Sequence, residues 1–384
     1  MKSLMKAVLL AGSLLVAADL YAQDLVQRSA VELWRLGGPD ATEHEAFSQE
    51  PALVVDRSGN AFVRSRNPPH VAVFSRDGEY VTSIGRSGEG PGEFSIAFAH
   101  GLLGDTLWVL NWPAPRVSRF LTDGTHLSTR QLESIDFGVP LSSPQSVSAL
   151  MREGRAVAVP SGTPVGGTDR ARLPVLFGDL ARPDRGVAEV SVPQGMMIPG
   201  VGSFAFAPVR IAPLFVASSN GEGYLTVDWN DDGSGELRVS RYGYDGGHRW
   251  SRTVTLPTSR IPRAVRAEWI ARGVEMARPH VEPAMRDGRI RGRSVDAHVE
   301  DALNLPTYFP PVDAVALGAD GSVWLGRTTV GVHREWWILD EGGVPQFSVQ
   351  LPSSVNVHTA NGMSVWGTHA GEFDVPLVSR FEIR

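Results

Sequence analysis

Val71-Ala-Val-Phe-Ser-Arg-Asp-Gly-Glu-Tyr-Val-Thr-Ser-Ile-Gly-Arg-Ser-Gly-Glu-Gly-Pro-Gly-Glu-Phe94 holds two runs of strand-forming residues, 71–75 and 80–84, joined at Asp77-Gly78. Asp-Gly between such runs is a strong hairpin signal, because its glycine takes the positive φ that a tight turn requires. Upstream, 51–56 and 61–64 are two more apolar runs about the turn Ser58-Gly59-Asn60. The four runs together predict a four-stranded antiparallel meander. Downstream, Gly85, Gly88, Gly90, Pro91 and Gly92 supply the special torsions for a sharp turn from the outer edge of this unit to the inner strand of the next.

The same unit returns along the chain. A second copy covers 101–131 with turns at Gly104-Asp105 and Asp123-Gly124, and a degenerate third covers 146–192. A fourth spans 215–256 with Asp245-Gly246, and a fifth spans 312–351 with Asp320-Gly321 and Gly342-Gly343. The sixth starts at 355–359 and stops at 377–383, one strand short. Its complement stands at the other end of the chain, where 30–36 read Ala-Val-Glu-Leu-Trp-Arg-Leu. Six meanders, one built from both ends, predict an all-β, six-bladed β-propeller of four-stranded antiparallel blades, its N-terminal strand closing the last blade. A long sandwich or two separate β-domains would give those terminal strands no reason to complement each other.

Two stretches depart from the repeat. Residues 193–213 are rich in Gly, Pro and Phe and read as a long loop. Residues 257–311 form an insert that opens with helical spacing, placing Ile261, Val265, Trp269, Ile270 and Val274 on one face. That helix either packs on the propeller or lies over the channel mouth as a lid.

Composition narrows the chemistry. The 384-residue chain has no Cys, and its only Lys are Lys2 and Lys6. Both lie in 1–22, where a basic start, an apolar run from 7 to 18 and a terminal Ala22 read as a secretory signal peptide. The apolar run is shorter than the about 20 residues of a spanning helix. The expected organisation is a signal peptide, 1–22, and one propeller domain, 23–384, exported to the periplasm or medium and soluble after cleavage. Such a product has no thiol nucleophile, disulfide, Cys-linked lipid anchor, lysine Schiff base or phosphate-loop lysine. Loss of two Lys and Asp19 takes the formal charge from −6 to about −7, which offers no attraction to nucleic acid or to an anionic membrane.

The stretch from Val71 to Phe94 resembles an NHL-type repeat, in which a third strand, an Asp-Gly hairpin and a fourth strand precede Gly-x-x-Gly-x-Gly-Pro-Gly-Glu-Phe. The chain as a whole is similar to the bacterial exported six-bladed β-propeller proteins of that superfamily. The resemblance implies the fold. Its members include interaction scaffolds as well as metal-dependent lyases and lactonases, so an activity has to come from a matched site. No matched set of carboxylate, Asn and Asp positions stands out in this chain.

His126 and His248 fall in hairpins on one face of such a ring, whereas the other eight His fall in segments opening on the opposite, loop-rich face. His100 and His358 stand near the starts of the inner strands of blades two and six, where side chains reach the central channel. They are the candidate binding residues, and as neutral imidazoles they would also be candidate ligands for Zn. Glu50 and Asp313, near other blade starts, would suit a Ca site. Ordinary channel-lining histidine is the competing reading. Ser142-Ser143 and Ser218-Ser219 have no Gly-x-Ser-x-Gly elbow. Trp112, Trp229, Trp336, Trp337 and Trp366 read as blade packing or as an aromatic binding surface.

The expected function is that of a monomeric, non-enzymatic binding protein that takes a peptide, glycan or protein on its loop-rich face. The alternative is a lactonase-like, metal-dependent lyase or hydrolase using His100 and His358 in the channel.

Overall fold

The structure is a computed structural model that describes residues 25–47, 51–133, 146–159, 172–180, 182–191, 196–204, 206, 208, 214–291, 294–303 and 305–384. Residues 1–22, read from sequence as a signal peptide, Glu50 and Ser142-Ser143 lie outside the described residues.

The strand repeats become six four-stranded antiparallel blades of a β-propeller. Blade one runs outward through Ala52–Val55, Ala61–Arg66, Pro69–Phe74 and Tyr80–Ile84, and blade two through Ile96–Leu103, Thr106–Trp112, Arg116–Leu121 and His126–Gln131. Blade three comprises Ser146–Leu150, Arg155–Val159, Arg172–Asp179 and Arg182–Ser191, and blade four Leu214–Ala217, Gly223–Trp229, Glu236–Gly243 and His248–Thr255. Blade five is Val312–Leu317, Val323–Arg327, His333–Leu339 and Pro345–Pro352. Blade six takes Asn356–Asn361, Ser364–Ala370 and Pro376–Ile383 from the end of the chain and its outermost strand, Ala30–Gly37, from the start.

That outermost strand pairs antiparallel with Pro376–Ile383, from Ala30 opposite Ile383 to Gly37 opposite Leu377. A second attachment precedes it. Gln27–Arg28 adds in parallel to the outer strand of blade five, and the Arg28 guanidinium lies 4.6 Å from the centre of the Phe347 ring. Two residues are too few for a period-2 signal, so this pairing has no sequence signature.

Blades bury both faces against their neighbours, which is why their inner strands read as continuous apolar runs. Trp108 of blade two meets Val157 of blade three, Val227 of blade four meets Leu325 of blade five, and Trp324 and Trp336 of blade five meet Val365 of blade six. Trp366 of blade six packs with Val63 and Phe74 of blade one. Trp336, Trp337 and Trp366 are therefore packing residues, while Trp112 and Trp229 remain half-buried.

The glycine-rich turn after blade one is structural. Arg86–Ser87 pairs with Glu93–Phe94, and the Glu93 carboxylate accepts Arg86 Nε at 2.8 Å and the Gly90 amide at 2.9 Å.

The two irregular stretches meet each other. Within 193–213, read as loop, Met196–Ile198 and Gly202–Phe204 form a short hairpin. The insert is two helices, α1 (Arg263–Arg286) and α2 (Val295–Leu303). Ile261 precedes α1 and the stripe from Val265 to Val274 is only its first part; the helix continues past Pro279 and Pro283 and buries Val274, Ala277, Val281 and Ala284. Of these, Val274, Ala277 and Val281 pack with Val295 and Val299 of α2 and with Met196 and Ile198 of the hairpin in a small core of their own. Strands of three residues are below the length at which alternation is readable. Both pieces leave the ring at blade-to-blade connections, which open on the loop-rich face.

Candidate functional site

Innermost strands have one unpaired edge, and that edge borders the central channel. In blades two, three, five and six the register against the second strand slips by one residue, leaving Phe98, Ser148, Asp313 and His358 out of the ladder. A bulge of this kind re-aims the extra side chain. His358 is half-buried, its Nε2 lying 2.9 Å from Thr368 Oγ1 on the neighbouring strand.

His100 reaches in the other direction around the ring. Its Nε2–H donates to the Phe62 carbonyl of blade one at 2.9 Å. Two residues after Phe62, Arg64 returns the contact, donating from Nη1 to the Ala97 carbonyl of blade two at 2.7 Å. Arg64 is 6% exposed, with Nε buried and unpartnered.

Burial, followed by the Arg64 charge, pushes His100 down to about 3 and His358 down to about 4. His358 adds a smaller push on His100. Both imidazoles are neutral at pH 7. Burial and the neighbouring Arg66 bring Arg64 itself down to about 10, so it stays charged there. The structure thus gathers both histidines named from sequence around a third residue that strand reading absorbed. Its only signal was a charged side chain closing the otherwise apolar run Ala61-Phe-Val-Arg64.

The other candidates disperse. Asp313 is paired with Arg334 at 3.1 Å. His44 stacks on Tyr80 with ring centres 3.8 Å apart, and His280 and His298 lie on α1 and α2. His369 Nε2 is 2.9 Å from Ser379 Oγ, which donates to Glu32 at 2.5 Å. Here the serine, not the imidazole, occupies the middle of the chain and is fully buried, which is the wrong order and exposure for a nucleophilic triad. Ser218 is also buried, and its Oγ accepts the Gly223 amide at 3.1 Å.

The residues at His100 and His358 do not fit a divalent cation. Among the described residues no three His, Asp or Glu gather closely enough to hold one, and the third side chain between these two is itself cationic.

On the face away from the loops, the turn between the inner strands of blade four reaches three other blades: the Ser219 carbonyl accepts Leu102 N at 2.7 Å, the Gly221 carbonyl accepts Arg152 N at 3.3 Å, and Asn220 Nδ2 donates to the Ala319 carbonyl at 3.2 Å. A turn tied to blades two, three and five spans the axis. On the loop-rich side, the Arg66 guanidinium lies 5.7 Å from the Phe98 ring centre and Phe98 lies 6.3 Å from Trp112.

Ring and closure define a six-bladed β-propeller. The family DUF5128, described as a 6-bladed beta-propeller, matches residues 41–99, which cover blade one and the turn into blade two. Among solved structures, a member of the DUF4221 family from Bacteroides vulgatus aligns with a TM-score of 0.52 at 9% identity, over 94% of this chain and 99% of that one. A protein described as exported, from Bacteroides fragilis, aligns with a TM-score of 0.48 at 10% identity over 95% and 97% of the two chains. The calcium-binding protein regucalcin from Agrobacterium tumefaciens gives 0.43 at 10% over 93% and 96%. At such identities the likeness is one of fold. No curated protein matches the sequence.

Proposed function

We propose that this protein is an exported, non-enzymatic binding protein that holds a peptide, glycan or protein on its loop-rich face, with one group of the ligand entering the channel. The observation that supports this reading is the buried Arg64 flanked by two neutral histidines below the mouth. Proton transfer at pH 7 is poorly served by imidazoles held at about 3 and about 4, since a general acid or base works best near the operating pH. Hydrogen-bond donors fixed on a rigid ring are suited to holding a group in place. Export rests on the reading of residues 1–22, and a secreted-reporter fusion to that segment checks it.

The test is a peptide and glycan array probed with the mature protein, followed by mapping of any ligand found. The expected ligand loses affinity on Phe98→Ala and Trp112→Ala and is indifferent to His248→Ala on the opposite face. A ligand that maps to the opposite face, or that is chemically converted, overturns the proposal.

A further inference from the structure

Six arginines have a buried side-chain nitrogen without a hydrogen-bond partner, namely Arg64, Arg116, Arg241, Arg327, Arg334 and Arg380. Arg116 is only half-buried and both its terminal nitrogens are used, donating to the Glu89 and Glu93 carbonyls, and the last four have carboxylates near them. Arg327 is paired with Glu335 at 2.6 Å and Arg334 with Asp313. Arg241 feels Glu341 and Glu222, and Arg380 feels Glu382 and Asp77. Around Arg64 the charged or ionisable neighbours among the described residues are Arg66, His100 and His358, and none of them is an acid. An arginine that is 6% exposed and has no counter-charge among the described residues carries a desolvation cost that its single bond to the Ala97 carbonyl does not offset.

The arrangement of that side chain is specific. Nη1 is committed to Ala97, whereas Nε has no partner and Nη2 makes no hydrogen bond among the described residues. Nε–H and Nη2–H form one edge of the guanidinium, the edge whose two parallel donors match the two oxygens of a carboxylate. The site offers one permanent positive charge, because both imidazoles are neutral. That charge balances a monoanion and leaves a dianion half compensated.

We infer that Arg64, between His100 and His358, is a binding site for a single carboxylate group of the ligand. This names the chemistry of the group that enters the channel and rests on the reading of the loop-rich face as the binding face.

The experiment observes the arginine Nε–H signals of the 15N-labelled mature chain by NMR at pH 7 while acetate is added at constant ionic strength. Arg64→Lys assigns the signal, and methylphosphonate and sulfate are titrated in parallel. The expected result is a saturable downfield shift of the Arg64 signal with acetate, with an apparent affinity at least tenfold above those for methylphosphonate and sulfate. No shift with acetate overturns the inference, as does an equal response to all three anions, which is what an adventitious ion only would give. The measurement uses the unmutated protein, so an unstable variant does not blunt it, and neighbouring resonances assign the signal if Arg64→Lys fails to fold. A ligand from the array that binds Arg64→Gln as tightly as the parent overturns the carboxylate and leaves the binding face standing. Saturable acetate at Arg64 with every array ligand mapped to the opposite face does the reverse.

Discussion

Ser29 and Arg384 exchange both backbone hydrogen bonds, Ser29 N to Arg384 O at 3.2 Å and Arg384 N to Ser29 O at 2.9 Å. The two ends of the described chain are thereby locked in register, and the N-terminal strand covers the edge that Pro376–Ile383 would otherwise leave open. With no Cys in the chain, non-covalent contacts, this strand pairing among them, hold the ring closed. Deleting residues 27–36 is expected to lower the urea midpoint of the whole protein. Leu36→Ala, which empties a buried site beside Val55 and Val378, is expected to cost about 2–5 kcal/mol. An unchanged midpoint on deletion would show that the terminal pairing is dispensable.

Acid should loosen this fold through two identified groups. His100 and His358 are held at about 3 and about 4, below the ordinary histidine value of 6.5, by burial and by Arg64. Above pH 6.5 both are neutral whether the chain is folded or not, and they make no contribution to the pH dependence. Between 6.5 and about 4 the unfolded chain takes up protons that the folded chain refuses, so stability falls with pH; the fall from these groups ends once pH passes below about 3. The loss is on the order of a few kcal/mol. Urea unfolding at pH 7 and pH 5 reads it, and His100→Gln with His358→Gln is expected to flatten the difference, since glutamine keeps a donor for the Phe62 carbonyl without titrating. An equally steep loss in the double variant would assign the acid sensitivity to other groups.

How much of this was legible in the sequence depended on periodicity. Asp77-Gly78, Asp123-Gly124 and Asp245-Gly246 mark hairpins whose flanking strands alternate, so blades and closure could be read directly. The Met196–Ile198 hairpin and Gln27–Arg28 are too short to alternate. Position along a strand placed His100 and His358 near the channel, but bringing them to one side of it needs the ring geometry that sets blades six, one and two side by side. Arg64 was hidden for a different reason: a strand pattern scores a charge as an outward residue, and only the fold makes this one inward.

Gly85 tests the structural reading of the glycine-rich turn. Its φ is +76°, and the Phe94 ring occupies the place of a Cβ. Gly85→Ala is expected to cost about 1–2 kcal/mol for the left-handed backbone and about 1–3 kcal/mol more for displacing a fully buried ring. Thermal unfolding checks it, with Gly88→Ser as a companion at the same turn. If Gly85→Ala left stability intact but removed binding of an anion, the turn would have to be a ligand loop.

The insert has a core separate from the ring, and this gives it an independent response. A Cβ on Gly273 of α1 would stand 2.9 Å from Val299 of α2 and 3.4 Å from the Met196 sulfur. Gly273→Val therefore wedges both partners away, whereas the blade clusters share no residue with this core. Hydrogen exchange is expected to rise by an order of magnitude or more in Met196–Ile198 and Val295–Leu303 while the amides of Ala61–Arg66 keep their protection. A collapse of protection in blade one would mean that the insert braces the ring. Retained blades with unchanged ligand binding would make the helices a side structure, and retained blades with altered binding would make them the moving cover of the loop-rich face.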